Sequence, residues 1–328
     1  MRQDRGAQTV AVIGAGSWGT ALANLLAKKG HTVRMWSFEL DVADTINTSH
    51  ENVKYMKGIA LAPTLTASTS LEAVVTGADA ILSISPAQHV RGVMADVAKY
   101  IAPGTLVISA SKGIELGTLK TMAHIFSEVL PSDIADSAVY LSGPSFALEV
   151  ARELPTAVTI AGTQAQAAER GQDLFQTPYF RAYTSDDVIG IELGGALKNV
   201  IAVAAGMGVG LGLGHNATAA LITRGLAEIS RLGVKLGANP LTLAGLSGMG
   251  DLILTCTGDL SRNRHVGVEL GRGRPIDEIL AEMVMVAEGV QTSRAAYMLA
   301  QKHDIEMPIV KEVYAVIFEG RTAREAVE

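Results

Sequence analysis

Six residues near the amino terminus, Gly14-Ala15-Gly16-Ser17-Trp18-Gly19, spell G-x-G-x-x-G. The run before them, Thr9–Ile13, reads as a strand, and residues 19–29 read as a helix that stops at Lys28-Lys29-Gly30. The first glycine permits a tight turn, the second lets backbone approach a pyrophosphate, and the third lets helix and strand pack closely. The helix N-terminus then offers unpaired N–H groups and a partial positive charge to phosphates. Gly14, Gly16 and Gly19 therefore read as a dinucleotide-binding turn, with a plain strand–turn–helix joint as the alternative.

The same alternation continues downstream. Thr32–Trp36 and residues 80–85, 106–110, 138–141 and 157–161 read as strands separated by helical stretches. Strands alternating with helices predict parallel pairing and a doubly wound α/β sheet. After residue 187 the strands stop. Residues 188–205, 217–232, 276–285, 294–302 and 309–318, with the neighbourhood of 270, read as helices. This divides the chain into a nucleotide-binding domain over residues 1–187 and an all-helical substrate domain over 188–328.

Composition raises one competing idea. The chain carries 34 glycines, only 18% charged residues, and a mean hydropathy of +0.27. Residues 199–223 form an uncharged stretch long enough to suggest a membrane span. Glycines at 206, 208, 210, 212 and 214, followed by His215 and Asn216, argue against it. The stretch reads instead as helix, glycine loop, helix. Residues 1–8 are polar and lack an apolar signal region, and a single cysteine, Cys256, excludes an intrachain disulfide. Both fit the reducing cytoplasm. A net charge of −6 gives no footprint for nucleic acid, and the seven scattered histidines form no metal-ligand pattern.

Several polar clusters stand out. Lys112, in Ser111-Lys112-Gly113, follows a strand and is placed at the cofactor crevice; an ordinary loop lysine is the alternative. Ser142 or Gly143 reads as the cap of a helix beginning at Pro144. Lys198 is more informative, because its neighbours at helical spacing are Ile191, Gly194, Gly195, Ile201, Ala202 and Ala205. The lysine thus stands on an apolar, small-residue face, where desolvation lowers its pKa. Gly194 and Gly195 are expected to leave room there for a ligand, with Glu192 and Asn199 as candidates to orient the amine. Ser261-Arg262-Asn263-Arg264-His265 gathers donors suited to a phosphate or carboxylate, though a solvated surface stretch reads equally well. Glu39, 20 positions beyond Gly19, is placed to take ribose hydroxyls or simply to start a helix. His89 reads as a surface histidine or an acid/base.

Taken in order, residues 14–23, 111–115, 141–147, 192–202, 248–252, 261–264 and 286–290 resemble the bacterial-type NAD(P)-dependent glycerol-3-phosphate dehydrogenases over nearly the whole chain. The resemblance implies a Rossmann-type domain followed by a helical substrate domain. It implies reversible reduction of dihydroxyacetone phosphate to glycerol 3-phosphate, feeding glycerophospholipid synthesis. Lys198 then matches the catalytic lysine, and Lys112 a lysine reaching both cofactor and substrate. Gly143, Ser145, Asp251, Ser261, Arg262 and Asn263 match substrate positions. Ser17, Trp18, Ala147, Arg262, Val286 and Glu288 match cofactor positions. Where many relatives carry a basic or histidine residue after the strand-two tryptophan, this chain has Ser37-Phe38, which leaves NAD against NADP open. Oligomeric state also stays open, with a homodimer as one option. A related hydroxy-acid or phosphogluconate dehydrogenase, or a non-catalytic NAD(H) sensor, are the alternatives; the sensor would not need Lys198, Lys112 or the 261–264 cluster.

Overall fold

The computed structural model describes residues 6–327; residues 1–5, which belong to the polar start of the chain, and residue 328 lie outside the described residues. Eight strands form one sheet: β1 (Thr9–Ile13), β2 (Thr32–Trp36), β3 (Leu65–Ser68), β4 (Ala80–Ser83), β5 (Leu106–Ser109), β6 (Val139–Ser142), β7 (Thr156–Ala161) and β8 (Phe180–Ser185). Their order is β3-β2-β1-β4-β5-β6-β7-β8. The sheet is wrapped by α1 (Ser17–Lys28), α2 (Leu40–Ser49), α3 (Leu71–Val75), α4 (Val90–Val97), α5 (Met122–Val129), α6 (Ser132–Asp136), α7 (Ala147–Ala151) and α8 (Ala165–Phe175).

Both faces of the sheet are covered, which is why its central strands read as continuous apolar runs. In β1, Val10 and Val12 join a core with Leu22, Leu25 and Leu26 of α1. Ala11 and Ile13, pointing the other way, join one with Val90 and Met94 of α4. From β3 to β6 every pairing is parallel, as the strand–helix alternation requires. The expectation of parallel pairing throughout fails at β7, which runs antiparallel to β6. Residues 143–155, with the five-residue helix α7, turn the chain back alongside β6.

Two strands have no counterpart in the sequence reading. β3 has four residues, and in β8 only Phe180 and Ala182 face inward while Arg181 and Tyr183 are exposed. Both lie at sheet edges, where one covered face leaves a weak apolar signal.

After β8 the described chain is helical: α9 (Val188–Gly210), α10 (Gly214–Lys235), α11 (Pro240–Leu243), α12 (Asp251–Thr257), α13 (Arg262–Gly271), α14 (Ile276–Glu282), α15 (Glu288–Lys302) and α16 (Pro308–Phe318). A π-helical turn, Leu246–Gly250, leads into α12. The apolar helix α9 is long enough to cross a membrane, but 89% of its most apolar window is buried by the other elements. It is the central helix of the second core.

The glycine run is not a loop, as the sequence reading expected. Gly206, Gly208 and Gly210 lie inside α9, and only Gly212 and Gly214, with φ of 76° and 78°, make the turn into α10. Helix is retained there because α13 presses backbone against backbone. A Cβ on Gly206 would sit 2.1 Å from the Arg264 carbonyl oxygen, and one on Gly210 2.3 Å from that of Val268. Reciprocally, a Cβ on Gly267 would sit 2.0 Å from the Val203 oxygen, and one on Gly271 2.4 Å from that of Met207. Gly208 faces away, with only Leu213 at 3.8 Å.

Two alanine variants separate these roles. Gly206→Ala is expected to destabilise the protein by ~3 kcal/mol, as overpacking of a rigid contact does. Gly208→Ala is expected to stabilise it by about 0.5 kcal/mol through helix propensity. Thermal unfolding of the two variants checks both signs.

Candidate active site

The carboxyl ends of β1, β4, β5 and β6 lie along one edge of the sheet, and the polar loops follow directly from them. After β1, Gly14 has a φ of 128°, which favours glycine, and its Cβ would meet the Ile84 backbone at 3.0 Å. A Cβ on Gly19 would lie 2.0 Å from the Gly14 oxygen, so α1 can pack on the turn only with glycine there. Gly16 has nothing within 4 Å on that side. Its backbone is open to an approaching group, and it caps α1, whose first residue is Ser17. This cradle fits the pyrophosphate of a dinucleotide. The Ser17 hydroxyl points to the Met285 sulfur at 3.2 Å. The buried Trp18 indole nitrogen has no partner among the described residues.

Lys112 follows β5 and reaches toward α12. Its Nζ donates to Asp251 Oδ2 at 2.7 Å and to the Gly143 carbonyl at 3.3 Å. The Ser145 hydroxyl donates to that same carbonyl at 3.0 Å. Lys198 approaches Asp251 from α9, its Nζ bonded to Oδ1 and to Thr255 Oγ1, the latter at 2.9 Å. One carboxylate thus holds two ammonium groups, and the cluster is buried, with Lys198 6% and Asp251 1% exposed. Burial, and then Lys112, push the Lys198 amine down to about 7, against the pull of Asp251. Burial opposes ionisation of Asp251, but the two lysines outweigh it and hold its pKa below the usual carboxylate range.

The third part of the site is the start of α13. The Ser261 hydroxyl accepts the Arg264 N–H at 3.2 Å and caps the helix. Asn263 Nδ2 donates to Asn199 Oδ1 and its Oδ1 accepts the Gly289 N–H, both at 2.9 Å. This ties α13 to α9 beside Lys198 and to the first turn of α15. Arg262 is accessible to solvent yet ringed by protein, with no hydrogen-bond or ion-pair partner among the described residues. Desolvation lowers its pKa, and the Glu288 carboxyl opposes that. Arg264, by contrast, is paired with Asp259 at 3.0 Å. Glu288 accepts the Ala87 N–H at 3.2 Å, and burial pushes its carboxyl up to about 7.

Several expectations change here. No helix starts at Pro144; α7 begins at Ala147, behind Phe146. The strand end leads instead into an extended turn, with φ at Gly143 of 153° and Val158 Cα 2.8 Å from where its Cβ would lie. Gly194 and Gly195 do not leave room for a ligand. The Ser247–Gly248 backbone fills the space beside Gly194, and Ser142 with Lys112 that beside Gly195. Glu192 and Asn199 do not touch Lys198; Asp251 and Thr255 orient it. Thr255 escaped the sequence reading, although it stands one helical turn beyond Asp251. Glu39 is held by Lys54 at 2.5 Å and by the Tyr55 hydroxyl at 2.8 Å. His89 is exposed. Val286 is half exposed between α14 and α15. Among the described residues no group of three or more His, Cys, Asp or Glu could hold a metal ion.

Two family models match the chain: the NAD-dependent glycerol-3-phosphate dehydrogenase N-terminus over residues 9–168 and its C-terminus over residues 187–328. The chain belongs to this dehydrogenase family. A curated relative from Geobacter sulfurreducens, glycerol-3-phosphate dehydrogenase [NAD(P)+], is 54% identical over 320 residues, covering 98% of this chain and 96% of its own. The crystal structure of glycerol-3-phosphate dehydrogenase from Coxiella burnetii superposes with a TM-score of 0.93 at 38% identity, covering 98% of both chains. The yeast glycerol-3-phosphate dehydrogenase structure gives 0.82 at 29% identity, again over 98% of both chains. The cluster around Asp251 brings together Lys112, Gly143, Lys198 and Thr255, residues far apart in the chain, and Asn263 joins it through Asn199 beside Lys198.

Asp251→Asn leaves two buried ammonium groups facing each other without a counter-charge. A loss of about 3–5 kcal/mol is expected, read as a fall in the unfolding midpoint.

Proposed function

We propose that the chain reversibly reduces dihydroxyacetone phosphate to sn-glycerol 3-phosphate with NADH or NADPH. Its product would feed glycerophospholipid synthesis in the cytoplasm. Residues 1–187 bind the cofactor, and residues 188–328 supply most of the substrate site. The observation that carries this reading is the buried Lys198–Asp251–Lys112 cluster, in a chain that also holds an open glycine turn after β1 and an unpaired arginine at the start of α13.

The bound nicotinamide supplies the hydride. Gly14, Gly16, Ser17, Trp18 and Gly19 cradle the cofactor's phosphates and neighbouring groups, with Lys112, Ala147, Arg262, Val286 and Glu288 completing its surroundings. Lys198 donates a proton to the oxygen at C2 of the substrate as negative charge develops there, and Lys112 adds positive charge beside it. Arg262 is the phosphate clamp, because its guanidinium fork has no competing partner among the described residues. Asn263 keeps one Nδ2 hydrogen to give, its other groups being spent on Asn199 and Gly289. Gly143, Ser145, Asp251 and Ser261 complete the substrate site. As a protein partner, the reading names a second copy of the chain, which light scattering on the eluting enzyme would read out.

The direct test is oxidation of NADH and of NADPH, each followed separately on adding dihydroxyacetone phosphate. Lys198→Ala is expected to lower kcat by at least ~100-fold with cofactor affinity retained. Near-normal turnover would reject the assignment. Because only protonated Lys198 can donate, kcat for reduction is expected to be highest below about pH 7 and to fall above it. Oxidation needs the neutral amine and is expected to rise over the same range. Arg262→Ala is expected to raise KM for the phosphorylated substrate by ~10–100-fold, the loss of a charge-assisted hydrogen-bonded pair; a steady-state KM series over substrate checks it.

A further inference from the structure

A small polar chamber beside Lys112 takes no part in the mechanism above. It is lined by Ser109, Ser111, Lys112, Tyr140, Ser142 and Glu192, among others. Ser109 and Ser142 are 2% and 3% exposed, and neither hydroxyl has a partner among the described residues. Buried hydroxyls left unpaired are costly, and the chamber has room for about one water molecule to satisfy them.

Glu192 stands at one side of this chamber. Its Oε1 accepts the Ala123 N–H at 2.9 Å, and the Thr121 hydroxyl lies near enough to the same carboxyl to hold its pKa down. Thr121 Oγ1 lies 3.1 Å from Nδ1 of His124, which is exposed. On the chamber's other side, Lys112 is bonded to Asp251, and Asp251 to Lys198. Groups able to carry a proton therefore run from the surface to the buried amine: His124, Thr121, Glu192, the chamber, Lys112 and Lys198, the two lysines held together by Asp251.

We propose that this series restores the proton on Lys198 after each reduction, with Glu192 handing it across a chamber water to Lys112. The inference rests on Lys198 being the proton donor. When Lys198 has protonated the product oxygen it is a neutral amine. Lys112, held on the same carboxylate, passes a proton directly to the Lys198 amine. Lys112 takes one from the water, and the water takes one from Glu192. The Glu192 carboxylate is refilled through Thr121 and His124 from solvent. One proton moves inward, and no other bond changes. The groups facing Glu192 are Thr121, which caps α5 and has His124 behind it, Tyr140 from β6 and Lys112 after β5. Burial holds the Tyr140 hydroxyl protonated, so it adds no competing charge. Burial also pushes the Glu192 carboxyl up to about 7, against its hydrogen bonds, so it holds a proton to give near neutrality.

Glu192→Gln keeps an acceptor for the Ala123 N–H and removes the transferable proton. It is expected to lower kcat for reduction about tenfold or more while KM stays unchanged. The solvent deuterium isotope effect on kcat should rise. His124→Ala, a surface change, should lower kcat in dilute buffer only and be rescued by added imidazole in proportion to its concentration. It decides the matter if Glu192→Gln fails to fold. Wild-type rates for both variants in dilute buffer overturn the relay, and so does a His124→Ala loss that imidazole leaves untouched. Lys198→Ala, run in parallel, separates the two ideas. If it turns over, the reading of the site fails. If it is dead while the other two are normal, only the relay fails.

Discussion

Backbone contact between α9 and α13 determines where everything in the second half of the molecule can stand. Gly206 and Gly210 meet Gly267 and Gly271 with no side chain between them. At that separation the start of α13 comes within a hydrogen bond of Asn199, next to Lys198. A methyl group at this crossing would push Ser261, Arg262 and Asn263 away from the lysine they are meant to accompany. The same closeness explains how glycines stay helical. The propensity cost of glycine, ~1 kcal/mol per residue, is offset by packing that no larger residue could make.

The site built on this crossing is unbalanced in charge. Lys112 and Lys198 face one ionised Asp251, and Arg262 faces a Glu288 that burial drives toward its neutral form. Such an excess of positive charge in a desolvated cleft is costly when empty of anions and well matched to a phosphorylated ligand. Burial that depresses the Lys198 pKa to about 7 also makes the lysine a ready acid and, once deprotonated, a ready base. One environment therefore serves a reaction that runs in both directions.

Some features were legible in the chain because they are local. The turn at residues 14–19, the central strands and the apolar face around Lys198 follow from neighbours a few positions apart. Edge strands β3 and β8 were not legible, because one covered face gives too faint an alternation. The glycine run was misread as a loop because propensity is a weak prior that packing overrides. The small residues beside Lys198 were expected to leave room for a ligand, but protein from the Ser247–Gly248 turn and from β6 fills that space.

By itself, then, the sequence determined the dinucleotide turn, the doubly wound sheet, the helical second half and the lysine placed against its hydrophobic surroundings. Each of these depends on hydrogen bonding or periodicity within one turn or one strand. Tertiary structure alone decided that Asp251 and Thr255, more than fifty positions away, are the partners of Lys198, and that Glu192 serves α5 instead. Helix spacing specifies which face a side chain occupies. It does not specify what is folded against that face, and a buried charge takes its pKa and its chemistry from what it meets there.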